Sequence, residues 1–298
     1  MSSPLLAIKV YPHADVFYSR GSFTKCIRLL CMKEPDMKVA LGQFAVQRLW
    51  QDNAQTCITL MAQAASAGAD LLVLPEAVLA RDNTDPEWGV GCAQPITGPF
   101  VSQLLTASQS LDISVVFTLH TPAADGRVHN TLLVIRRGEV LVHYHKLHLY
   151  DAFTVQESRR VTPGTALPPV VEVAGMRVGL MVCYDIRFAE MARQLAVNGA
   201  DVLVVPAAWV KGPQKEAHWE LLARTRALEN TCYLVATGEC SDRNIGNSMV
   251  VDPMGVVIAQ AAEQPELLLA ELKLERIQAV RRQLPVLHHN RFKPPVLR

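Results

Sequence analysis

Two distant stretches of the chain carry nearly the same wording. A-G-A-D-L-L-V-L-P at 67–75 returns as N-G-A-D-V-L-V-V-P at 198–206. Each copy reads as a helix end, a turn at Gly68 or Gly199, and a short apolar run closed by proline. An apolar run without polar interruption suits a strand buried on both faces, and proline ends it because it cannot donate to a ladder. αβ units often converge on such wording, so the echo can be coincidence. The copies are too far apart for a solenoid repeat. The other reading is a fold of two related halves, with two sheets each covered by helices.

The pattern around the echo supports an α/β class. From Met37 onward, M-K-V-A-L-G-Q-F alternates like a strand, and residues 52–67 place Cys57, Leu60, Met61 and Ala64 on one helical stripe that Gly68 stops. A second helix is predicted over 99–110 and a strand over 113–120. T-L-L-V-I-R-R-G-E-V-L-V-H-Y-H-K, residues 131–146, reads as a hairpin turning near Arg137-Gly138. A strand over 177–182 leads to a helix over 188–197, with Phe188, Met191 and Leu195 on one face. A strand over 202–205, a helix over 216–231, strands over 233–237 and 248–252, and a turn at 252–255 complete the series.

At 298 residues and 50% hydrophobic, the chain can bury a large core. Residues 1–36 lack a sustained period and are read as an N-terminal extension of uncertain order, with a short docked arm as the alternative; the domain proper is 37–298. The net charge of +1 gives no electrostatic reason to expect nucleic acid or an anionic membrane as partner. No apolar run reaches the roughly 20 residues of a membrane helix, and Lys9 and Pro12 interrupt any secretory apolar region. The seven scattered cysteines, without a C-x-x-C pair, suit free thiols in a reducing cytoplasm.

Three reactive side chains share one structural address. Glu76 follows the strand L-L-V-L-P, Lys146 ends the hairpin's second arm, and Cys183 ends R-V-G-L-M-V. Ligands of α/β sheets collect outside the carboxyl ends of strands. If the three converge, their chemistry fits amide hydrolysis. A thiol needs a base or a positive field to become a nucleophile. A carboxylate can take its proton and deliver it to a leaving amine. An ammonium, with the backbone N–H of Tyr184 after a sharp strand-to-helix turn, can hold an oxyanion. Singly, each has an ordinary explanation: a buried strand-end thiol, a solvated loop carboxylate, a surface lysine.

The motifs P-E at 75–76, H-K-L-H-L-Y-D at 145–151 and C-Y-D-I-R-F at 183–188 together resemble the nitrilase, or carbon–nitrogen hydrolase, superfamily. E-A-H-W-E-L-L-A-R-T-R-A-L-E-N at 216–230 and S-M-V-V-D-P at 248–253 extend the resemblance from about Met37 to the end. It implies a nitrilase-like α-β-β-α four-layer sandwich that dimerises, with no cofactor. It implies Glu76 as general base, Lys146 as oxyanion stabiliser, Cys183 as nucleophile and Glu157 as a second glutamate positioning the lysine. Within the superfamily the wording is similar to the branch of deaminated glutathione amidases and ω-amidases, with R-R-Q-L-P-V-L-H-H nearer the former. The expected reaction is hydrolysis of a terminal amide in a small carboxylate through a cysteine thioester, with water as co-substrate. The alternatives are an ω-amidase acting on 2-oxoglutaramate and a non-catalytic binding protein on the same fold.

Arg187 is either a fork for a substrate carboxylate or the partner of Glu190 or Asp185 in a structural salt bridge. Trp209 and His218 are pocket-wall candidates from the family wording alone. The chain departs from that wording in three places: G-P-Q-K-E-A-H-W replaces T-G-P-A-H-W, Asn247 replaces a histidine, and Met254 replaces a tryptophan. His143, His145 and His148 raise a metal alternative. No carboxylate or cysteine lies at matching spacing and Lys146 stands among them, so no metal site is expected.

Overall fold

A computed structural model describes residues 36–85 and 87–297. The proposed extension before residue 36 lies outside the described residues.

The first half runs β1 (Asp36–Gln43), α1 (Trp50–Ser66), β2 (Leu71–Val73), α2 (Trp88–Gly91), α3 (Pro99–Ser108), β3 (Ser114–Pro122), β4 (Val128–Arg136) and β5 (Glu139–His145). Asn53, Ala54, Cys57, Met61 and Ala64 are the buried face of α1, and Pro99 starts α3 at a position where its missing N–H costs nothing. Arg137 and Gly138 both take positive φ in the β4–β5 turn, the geometry a tight hairpin demands. A two-stranded ribbon follows, β6 (Asp151–Ala152) with β7 (Val155–Gln156).

The second half runs β8 (Val171–Val173), β9 (Met176–Leu180), α4 (Ala189–Val197), β10 (Val202–Ala207), α5 (Lys215–Asn230), β11 (Tyr233–Gly238), β12 (Met249–Val251) and β13 (Val257–Gln260). The chain then returns through β14 (Glu266–Lys273) to the first sheet and ends in α6 (Leu274–Gln283) and α7 (Val286–His289). The sheet orders are β14-β1-β2-β3-β4-β5 and β13-β12-β11-β10-β9-β8. Both have a parallel centre, β1-β2-β3 in one and β9-β10-β11 in the other, flanked by antiparallel strands. The echo is therefore two equivalent αβ units. Its copies make the same bonds: Asp70 N–H donates to Lys38 C=O at 2.8 Å and Asp201 N–H to Arg177 C=O at 2.7 Å. Each aspartate carboxylate in turn accepts the N–H of the residue its own backbone has bonded.

Alternation sorts the side chains into layers. Val39, Leu41, Leu71 and Val73 enter the core shared with the second sheet, together with Leu180, Val202 and Val204. Ala40, Leu72 and Leu74 point the other way, into the core beneath α1 and α3 with Met61, Phe100 and Leu104. On the far side, α4 and α5 press Met191, Leu195, Trp219 and Ala223 onto the second sheet. This is the α-β-β-α sandwich. The predicted elements fall within about two residues of those observed, with one refinement: a 3-10 turn over Cys183–Arg187 separates β9 from α4, so Phe188 precedes the helix. The sequence pattern gives no signal for the strands β6, β7, β8, β13 and β14 or for the helices α2, α6 and α7.

Candidate active site

The two echo copies meet at the point where their wording diverges, P-E in the first and P-A-A in the second. Glu76 N–H donates to Ala207 C=O at 3.4 Å, and Ala208 N–H donates to Glu76 Oε2 at 2.9 Å. The left-handed backbone of Ala77 (φ 55°), held by Thr118 Oγ1 at 2.7 Å, turns the chain directly after the glutamate. Glu76 Oε1 also accepts Asn130 Nδ2 at 2.8 Å and Lys146 Nζ at 2.9 Å.

Lys146 leaves β5 with its side chain only 2% exposed. Its N–H bonds Asn130 C=O and its C=O accepts the N–H of Gly164. Gly164 must be glycine, because a Cβ there would lie 2.1 Å from the His145 carbonyl oxygen. A charge this buried is tolerable only when paired. Besides Glu76, Nζ reaches both oxygens of Glu157 at 3.2 and 3.0 Å, and Glu157 Oε2 accepts Tyr150 N–H at 2.6 Å.

Cys183 sits at φ 43°, a left-handed conformation that a non-glycine residue adopts only when its surroundings impose it. The residue that imposes it is Asp185, fully buried. Its Oδ2 accepts Val182 N–H at 2.9 Å and the Tyr144 hydroxyl at 3.0 Å. Its Oδ1 meets His148 N–H at 3.1 Å and His148 Nδ1 at 2.7 Å. The strand-to-helix elbow is thus stapled to the segment around Lys146, and Tyr184 N–H is the first amide beyond the thiol.

Burial pushes the Cys183 thiol well up, and the Glu76 carboxylate adds to it, while Lys146 pulls it down. Burial also works against an ionised Glu76, but Lys146, Cys183 and Ala208 N–H overcome it and hold this carboxyl well below the usual range. Burial likewise opposes the Lys146 charge, and the two glutamates outweigh it, so the ammonium persists. The resting centre is a neutral thiol beside a carboxylate that is clamped by an ammonium. Such a set can pass the thiol proton to the carboxylate as the sulfur attacks and the ammonium meets the developing charge.

These groups open into a cavity of about 210 Å³ whose lining includes Glu76, Lys146, Glu157, Cys183, Tyr184, Arg187 and Trp209. Four further cations line it, Arg81, Arg160, Lys215 and Arg243, beside the carboxylates of Asp82 and Asp85. The structure separates the two readings of Arg187 and corrects the expectation for His218. Arg187 pairs with neither Glu190 nor Asp185, whose carboxylate is spent on the elbow. Its Nε and Nη2 are buried without a hydrogen-bond partner among the described residues, and its Cζ lies 4.8 Å from the Trp209 ring centroid. His218 is absent from the cavity wall; Lys215, three residues earlier on α5, is there instead. Asp185, Asn130 and Lys215 went unassigned in the sequence. Only Lys215 left a signal there, inside the departing motif G-P-Q-K-E-A-H-W.

The histidines considered for metal are otherwise engaged. His145 stacks on His129 with ring centroids 4.0 Å apart and bonds Thr131 Oγ1, while His148 is turned to Asp185. Asn247 accepts Trp219 Nε1 at its carbonyl, and Met254 is exposed on the turn after β12.

This fold and this cluster define a carbon–nitrogen hydrolase, and the chain belongs to that family, which it matches over residues 38–282. It is 51% identical over 261 residues to the deaminated glutathione amidase of Escherichia coli O157:H7, across 88% of this chain and 100% of that one. It is similar in structure to the C. elegans NitFhit protein, with a TM-score of 0.80 and 29% identity over 87% of this chain. The match spans 66% of that longer chain. It is also similar to a mutant amidase from Nesterenkonia sp. AN1, solved with acrylamide added at the active site cysteine. That pair shares a TM-score of 0.68 and 27% identity over 84% of this chain and 98% of that one. Among the described residues, no helix is long and apolar enough to cross a membrane.

Proposed function

We propose that residues 37–298 form an amidase domain that cleaves the side-chain amide of deaminated glutathione, releasing 2-oxoglutarate and cysteinylglycine. The observation that carries this is the Cys183–Glu76–Lys146 cluster opening into a cavity whose free guanidinium, Arg187, calls for an anion. In the first step Cys183 Sγ attacks the amide carbonyl as its proton passes to Glu76. Lys146 Nζ and Tyr184 N–H hold the oxyanion. Glu76 returns the proton to the departing amine as the C–N bond breaks, leaving a thioester on Cys183. In the second step Glu76 takes a proton from water as its oxygen attacks the thioester; the C–S bond then breaks, Glu76 returns the proton to Cys183 Sγ, and the acid is released. Glu157 holds Lys146 in place from the opposite side.

Arg187 would take the carboxylate of the 2-oxo acid end as a planar fork. Arg81 and Arg243 line the cavity as well, which suits a leaving group with its own carboxylate and favours deaminated glutathione over 2-oxoglutaramate. Both substrates yield 2-oxoglutarate, so one coupled assay compares them. A higher kcat/KM for deaminated glutathione supports the assignment. A higher value for 2-oxoglutaramate would make the chain an ω-amidase, and silence on both would favour a binding role.

The same proposal includes a homodimer in the cytoplasm. Leu221 and Leu228 are exposed on one face of α5, and Leu228 adjoins the turn carrying Val256, also exposed. Such a patch suits burial against a second copy. Free thiols at Cys57, Cys92, Cys232 and Cys240 suit a reducing compartment. Light scattering at the monomer mass would overturn the dimer.

A further inference from the structure

Lys215 is in the wrong place for a structural lysine. It stands in the first turn of α5, where the helix dipole disfavours a cation, and it is only 5% exposed. The preceding Gln214 holds a left-handed backbone at φ 59°, which delivers the lysine into the cavity instead of solvent. Its ammonium donates to the Tyr150 hydroxyl at 2.7 Å and lies 3.9 Å from the Phe153 ring centroid and 5.8 Å from that of Trp209. Arg187 rests against the same Trp209 ring. Neither cation forms an ion pair among the described residues. Burial and the nearby Arg187 both push the Lys215 ammonium toward neutrality.

Two unpaired like charges in one largely buried pocket are costly unless something anionic joins them. Arg187 alone would satisfy a simple carboxylate through its fork. Lys215 keeps two of its three protons free for further acceptor oxygens. We propose that Lys215 is a specificity-determining residue that, with Arg187, recognises the 2-oxo acid end of the acyl group. Arg187 takes the carboxylate and Lys215 donates to a carboxylate oxygen and to the adjacent oxo oxygen. The aromatic rings of Tyr150, Phe153 and Trp209 keep the unliganded ammonium in position by cation–π attraction. The altered motif G-P-Q-K-E-A-H-W thus has a purpose: it supplies a second cation to the acyl pocket.

This inference rests on reading the cavity as the amide site. Its test therefore uses two readouts, one independent of turnover. The first is protection of Cys183 against iodoacetamide by 2-oxoglutarate. The second is the ratio of kcat/KM for glutaric acid monoamide to that for pentanamide. Lys215→Met is expected to raise the half-protecting 2-oxoglutarate concentration and lower the ratio, each by about tenfold or more, as for loss of a charge-assisted hydrogen bond. Lys215→Arg, which retains the charge, is expected to recover most of both. Thermal unfolding checks that both variants are folded; if Lys215→Met is not, Lys215→Gln replaces it. A folded neutral variant matching the wild type in both readouts would overturn the proposal, as would lack of protection in the wild type. A wild type that is protected but turns over no deaminated glutathione would overturn the substrate assignment while leaving Lys215 supported.

Discussion

Ala208 N–H donates to Glu76 Oε2 at 2.9 Å, so the backbone of one half of the molecule holds the carboxylate of the other. The two residues follow equivalent strands, β2 and β10, whose shared wording ends just before them. The internal echo and the reactive centre are therefore one feature. Each half contributes a strand end, and the cluster of Glu76, Lys146 and Cys183 lies where the two abut.

The acid limb of activity follows from the clamp on Glu76. Its carboxyl titrates below the ordinary 4.5 because Lys146, Cys183 and Ala208 outweigh burial. In the proposed mechanism turnover needs this group ionised, so kcat/KM should hold as pH falls through the normal carboxylate range, for as long as circular dichroism shows folded protein. Asn130→Asp removes a donor at Oε1 and adds a like charge; both effects raise the Glu76 value, so the limb should move to higher pH. A wild-type limb above pH ~6, or a variant limb unmoved, contradicts this.

Asp185→Asn keeps the shape of the elbow's anchor and removes its charge. The amide can satisfy only part of the set formed by Val182 N–H, Tyr144 hydroxyl and His148. A loss of about 1.5–3 kcal/mol is expected, lowering Tm by several degrees. Because the strained φ of Cys183 depends on this anchor, kcat should fall more than KM changes. Unchanged kcat and Tm would remove Asp185 from the account.

His145 makes stability pH-dependent. Burial, with His129 and His143 nearby, lowers its value from 6.5 to about 4. Between those values the unfolded chain binds the proton and the folded one does not. This contribution is therefore full above pH ~6.5 and lost as the pH falls toward 4. Replacing His145 by Gln should flatten the dependence of Tm on pH across that window. An unchanged slope would place the acid sensitivity elsewhere.

The legible parts of this molecule were those written locally. The echo, the proline-ended strands and the stripe on α1 each lie within one short segment, so period and turn chemistry revealed them. Glu76, Lys146 and Cys183 were legible as strand-end residues, and their meeting needed the fold. Asp185, Asn130 and Ala208 were not legible, because their partners lie 41, 54 and 132 residues away. β14 is not legible because it is an edge strand with all but one residue exposed or half-exposed, whose register comes from β1 at the other end of the domain. His218 was misplaced because the family wording carries no helical phase, whereas the left-handed Gln214 sets which residue of α5 enters the cavity.

The most direct test of the thioester account is 2-oxoglutarate release from deaminated glutathione by Cys183→Ala, measured beside the wild type at equal folded concentration. The account predicts a loss of about 10⁴-fold or more, since the thiol of Cys183 is the acyl acceptor of the proposed mechanism. Turnover within tenfold of the wild type would contradict it.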